Sequence, residues 1–100
     1  MGEKVKRVKR KATESLGVIT KLLARSIEQR AAAVDAVDFT QEQIAIVARA
    51  EKPSKSVVKK LNAALVVAVK ALAYYEANVK ELQKKQAGAM KAIEKAQAQE

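Results

Sequence analysis

Over residues 54–98 the positions Val58, Leu61, Leu65, Ala68, Leu72, Tyr75, Val79, Leu82, Gln86, Ala89, Ile93 and Ala96 alternate spacings of three and four without a slip. All but Gln86 are apolar. A mean period of 3.5 residues keeps one stripe of a helix turned toward a partner helix, the pattern of a coiled-coil-like heptad seam. No Pro interrupts it and Gly88 is its one weak helix former, so the pattern predicts a single long helix from 54 to 98.

The first third of the chain is also patterned. Val5, Val8, Ala12, Leu16, Ile19, Leu23, Ile27 and Val34, with Arg30 filling one position, are spaced three, four and four. That is an eleven-residue repeat, which tracks one face of a nearly straight helix and predicts helix over 12–37, continuous with the basic segment 1–11 before it. The stretch "DFTQEQI" then carries helix-start signals: Thr40 and Gln43 have capping-box spacing, and Phe39 and Ile44 that of a hydrophobic staple. A short helix over 41–50 is expected there. It ends at "EKPSKS", where Pro53 turns Lys52 away from helical geometry and Pro53 or Ser54 opens the long helix.

The resulting fold class is all-α: an elongated antiparallel helical hairpin of two long helices with a short helix at the hairpin end, forming one domain over 1–100. The run "LNAALVVAVKALAYY", residues 61–75, is apolar on nearly every face and therefore needs more than one neighbour. The first helix folded back on it supplies one, the short helix across the hairpin another, and a second copy of the chain is a further candidate. Leu61, Leu65, Leu72, Tyr75, Val79, Leu82, Gln86 and Ile93 are the expected oligomer seam, with Gln86 fixing register or strand number.

Composition sharpens this picture. Half of the chain, 49%, is hydrophobic, but twenty of those residues are Ala and three are aromatic, which suits closely packed helices or a shared core better than a compact globule. The absence of Cys and His removes thiolate and imidazole chemistry, and no nucleophile has a base beside it, so no enzymatic activity and no cofactor are expected. Asp35, Asp38 and Glu42 are too few ligands for a hard cation, and Asp38 and Glu42 read instead as charges beside a helix N-terminus. Tyr74 and Tyr75 read as core packing rather than base-stacking platforms. The apolar run is shorter than the roughly 20 residues of a membrane span, and no apolar stretch follows the N-terminal charges as in a cleaved signal peptide. A cytoplasmic location, or one inside a virion or other assembly, is expected.

The net charge of +9 is front-loaded: Lys4, Lys6, Arg7, Lys9, Arg10 and Lys11 face a single Glu3. Such a cluster attracts phosphate backbones by releasing counterions. A second stripe, Lys80, Lys84, Lys91 and Lys95, is offset by Glu76 and Glu81 at i,i+4 from Lys80 and Lys85 and reads as a solvated face. The segment "TQEQIAIVARAEKPSKSVVKKLN", residues 40–62, resembles a helix-turn-helix DNA-binding unit: Ala45 and Ala48 are spaced as in its first helix, and "SKSVVKKLN" is similar to its recognition helix. Arg49 stands where that family has its turn Gly, and the turn is about two residues longer. The resemblance implies a DNA-binding regulator.

Taken together, the residues point to a non-enzymatic helical assembly protein that contacts DNA or RNA, without regard to sequence, through its basic N-terminal helix, and that pairs with itself or with a helical protein. The competing expectation is a structural or adaptor subunit of a virion, filament or secretion apparatus with protein partners only.

Overall fold

The computed structural model describes residues 2–99; Met1 and Glu100, the ends of the expected domain, lie outside the described residues. The fold is all-α, with α1 at Gly2–Ala48 and α2 at Lys55–Gln99. The basic segment is not a separate extension but the first turns of α1.

The expected break near residue 40 does not occur, and there is no separate helix over 41–50. Nothing in "VDFTQEQ" forces a break, since it holds neither Pro nor Gly. Its Thr40 bonds backward rather than forward: Oγ1 donates to the Ala36 carbonyl at 2.8 Å, as a mid-helix Thr does, leaving no cap. Phe39 is 63% exposed, so the staple does not form either. Asp38 and Glu42 consequently sit in the middle of a helix, away from any N-terminus.

The genuine stop and start come at the connection 49–54. Arg49 and Ala50 donate to the carbonyls of Ile46 and Val47 three residues back, tightening the last turn of α1 ahead of Pro53. Ser54 then caps α2: its Oγ accepts from the Val57 amide at 3.4 Å, and its carbonyl accepts the first intrahelical bond from Val58. The two hydroxyls should therefore respond oppositely to removal. Ser54→Ala is expected to cost about 1 kcal/mol, whereas Thr40→Ala should be neutral or mildly stabilising, since Ala is the better helix former. Denaturant midpoints of the two variants check this.

Two compact units follow from the pairing of the helices. Unit 1 joins residues 1–26 to 78–100, and unit 2 comprises residues 27–77. In unit 1 Leu23 of α1 packs with Val79 and Leu82 of α2, and Ile19 packs against them. Val79 is 1% exposed and is the largest fully buried side chain. Beside this core Asn78 Nδ2 donates to the Oγ of buried Ser26 at 2.9 Å, and Gln86 Nε2 donates to Thr20 Oγ1 at 3.4 Å. Unit 2 is a helical hairpin closed by the connection. Its contact side is half-buried, at Leu61, Leu65, Leu72 and Tyr75, and its buried apolar residue is Ala33.

The inward side of α1 differs from the expected eleven-residue track. Apart from half-buried Gln29 and Gln43 beside them, the buried and half-buried positions run Val5, Lys9, Ala12, Leu16, Ile19, Leu23, Ser26, Arg30, Ala33, Val37, Thr40, Ile44 and Val47, spaced alternately four and three. Val8, Ile27 and Val34 are exposed instead. Ser26 takes an inward place, where Asn78 satisfies its hydroxyl, and Ala33 is buried on the same side. On α2 each of the twelve positions from Val58 to Ala96 named above is half-buried or buried.

Gly17 and Gly88 face open space, with no atom within 4 Å of the place a Cβ would occupy. Gly17→Ala and Gly88→Ala are each expected to stabilise the helix they sit in by about 1 kcal/mol, read as a higher thermal midpoint at constant protein concentration.

Candidate nucleic-acid interface

The charge is unevenly shared between the units. Unit 1 holds thirteen Lys and Arg against five Asp and Glu, a net +8; unit 2 holds seven against six, a net +1. Nearly all of the chain's excess positive charge therefore belongs to the unit that contains the start of α1.

Within that start, the helix sorts the six basic residues. Val5, Lys9 and Ala12 lie on the inward side and are half-buried, while Lys4, Lys6, Arg7, Arg10 and Lys11 are exposed. Arg7, two residues from both Val5 and Lys9 at about 100° per residue, points away from the partner helix, with Lys4 and Lys11 toward one side and Lys6 and Arg10 toward the other. Lys9 is already engaged within the molecule, and its carbonyl accepts the Thr13 hydroxyl at 2.7 Å. Five of the six predicted phosphate-contacting side chains thus reach solvent together from about two turns of one helix.

Antiparallel pairing brings a further lysine to the same place. Lys4, Val5 and Val8 of α1 and Ala92, Lys95, Ala96 and Gln99 of α2 line one shallow groove in unit 1. Lys95, assigned by sequence to the separate stripe of α2, stands across this groove from Lys4. A second shallow surface is lined by Lys6, Lys9, Arg10, Thr13 and Glu14. Lys80, Lys84 and Lys91 are exposed farther along α2. Which lysine of α2 would join the cluster depended on the register between the helices, which no local spacing encodes.

The tyrosines divide. Their rings meet edge to face, centroids 5.5 Å apart at 74°, with Tyr75 half-buried and Tyr74 68% exposed, so Tyr74 is not the core residue the sequence suggested. Asp35, Asp38 and Glu42 are exposed along α1, and among the described residues no group of three His, Cys, Asp or Glu is placed to hold a metal ion. No helix among the described residues is long and apolar enough to cross a membrane.

No protein-family model, curated protein or solved structure matches this chain.

Proposed function

We propose that this protein is a non-enzymatic helical assembly protein that binds the phosphate backbone of DNA or RNA through the start of α1. The observation that carries this reading is the exposure of Lys4, Lys6, Arg7, Arg10 and Lys11 on about two successive turns of helix in the unit that holds a net +8. Concentrated positive charge of this kind draws polyanions electrostatically, and contacts to phosphates alone position a protein without reading bases. Lys95 extends the surface across the groove, supplying a contact from the second helix.

The coiled-coil reading of α2 belongs to the same proposal. Val79, Leu82 and Gln86 meet Leu23 and Thr20 of α1, so in unit 1 the first partner of the α2 stripe is the chain's own N-terminal half. That pairing holds the basic turns as ordered helix, so that binding does not also require folding them. Purification without nuclease tests the function at once. Co-purifying nucleic acid, seen as excess ultraviolet absorbance over a protein that has two Tyr and no Trp, is the expected result. A preparation free of nucleic acid that also fails to bind added DNA or RNA turns the reading toward an assembly subunit with protein partners.

A further inference from the structure

The monomer leaves too much surface uncovered. Its accessible area is 7881 Å², whereas a compact folded chain of 10.9 kDa exposes about 5600 Å². The excess exceeds the roughly 800 Å² that each partner contributes to a standard stable interface. Among the described residues five apolar side chains are buried, Leu23, Ala33, Val79, Leu82 and Ala96, which is few for a chain of this length.

Much of the uncovered apolar surface is in unit 2, where Phe39, Ile46, Val57, Val67 and Tyr74 lie on one side and Ile27, Val34, Val66 and Val69 on the other; the first side holds the two exposed aromatic rings. The groove of unit 1 shows that the offsets of Lys4 and Val8 on α1 share a surface with those of Lys95 and Ala92 on α2. Because both inward stripes keep a seven-residue period, whole heptad steps identify the residues with the same offsets in unit 2. They include Phe39, Ile46 and Ala36 on α1, and Val67, Tyr74 and Ala64 on α2, which are exposed, together with Gln29, Gln43 and Ala71, which are half-buried. Phe39, Val67 and Tyr74 are each more than 60% exposed. Among residues at these offsets in α1 and α2 of unit 2, the one charge is Lys60.

We infer that a second copy of this chain covers this face, giving a two-fold dimer through unit 2. Charge selects the occupant. Unit 2 is nearly neutral overall but polarised. Its α1 portion carries Glu28, Asp35, Asp38 and Glu42 against Arg30, and its α2 portion carries Lys55, Lys59, Lys60 and Lys70 against Glu76. A two-fold axis running along the helices sets α1 of one chain against α2 of the other, so the acidic segment of each lies beside the basic segment of its partner, whereas an axis across the helices would oppose like charges. Association through unit 1 would instead oppose two surfaces of net +8. The dimer thus buries the apolar hairpins through residues of unit 2, none of which belongs to the basic start of α1.

Sedimentation equilibrium over a wide concentration range tests this on the full chain and does not depend on nucleic-acid binding. The expected species has twice the 10.9 kDa chain mass. Phe39→Ala combined with Val67→Ala removes two exposed side chains and inserts the best helix former, so helicity by circular dichroism should be kept. The dissociation constant should rise at least about tenfold, as loss of a buried interface anchor does. A protein that stays monomeric throughout, a mass other than a dimer, or a dimer indifferent to the double substitution overturns the inference. Should the double variant lose helicity, acrylamide quenching of Tyr74 fluorescence in a Tyr75→Phe chain decides instead: quenching should weaken as concentration rises, and constant quenching contradicts the dimer.

Discussion

Replacing Lys4, Lys6, Arg7, Arg10 and Lys11 together by Gln is expected to abolish most of the protein's affinity for duplex DNA and nearly all of its salt dependence. Each phosphate neutralised on B-form DNA contributes about −0.9 to the log–log slope of affinity against salt. Five contacts give about −4.5, which corresponds to a loss of roughly 500-fold between 50 and 200 mM salt. The fivefold variant should show a slope near zero to −1, the remainder belonging to Lys95. Lys9→Gln is the internal control. It removes a charge from the same segment, but one on the half-buried inward side of α1, so the slope should scarcely change. Replacing Lys80, Lys84, Lys91 and Lys95 by Gln instead should flatten the slope by about one unit. A larger loss from this variant than from the fivefold one would place the interface on α2.

Leu82→Ala and Leu23→Ala are expected to have the largest effects on stability, each about 2 to 3 kcal/mol, the lower part of the range for buried Leu truncations. Both side chains are at most 8% exposed and meet in one cluster with Val79, so each truncation removes contacts that the small core has nothing to replace. The core is also narrow enough to close partly around the void, which keeps the cost from the top of the range. Val18→Ala, on the same helix but 59% exposed, should stay within about 0.5 kcal/mol. Because association shifts a midpoint by mass action, the comparison belongs at one protein concentration. Equal midpoints for Leu82→Ala and Val18→Ala would mean that the α1–α2 packing of unit 1 contributes nothing to stability.

Which side of α2 turns inward was legible in the sequence, because every third or fourth residue from Val58 to Ala96 is either apolar or, at Gln86, long enough to reach Thr20. The register of α1 was not, for a chemical reason. Ile27 and Val34 are more apolar than their neighbours Ser26 and Ala33, and hydropathy alone prefers them. The smaller residues turn inward instead, Ser26 with a hydrogen bond from Asn78 and Ala33 buried. The helix start imagined at Thr40 failed because Thr, Gln and Phe at those spacings are equally compatible with a helix interior, where the hydroxyl simply bonds back to Ala36. Ser54 was legible because Pro53 had already ended the preceding helix.

Of the candidate interface, the basic residues themselves could be read directly, and their division into five outward and one inward required the burial of Val5 and Ala12. The junction of Lys4 with Lys95 depends on how the two helices register within unit 1, which no local spacing encodes. The partition of charge between the units was hidden for the same reason, since unit 1 is assembled from both ends of the chain.

The most direct measurement is fluorescence anisotropy of the intact protein titrated onto two labelled duplexes of scrambled sequence near about 0.1 M salt, where exposed charges separated by more than about 10 Å are already screened. Binding of both duplexes with the same affinity is the predicted result, because the contacts are to phosphates. Failure to bind either, or a strong preference for one, would contradict a backbone-binding role for the start of α1.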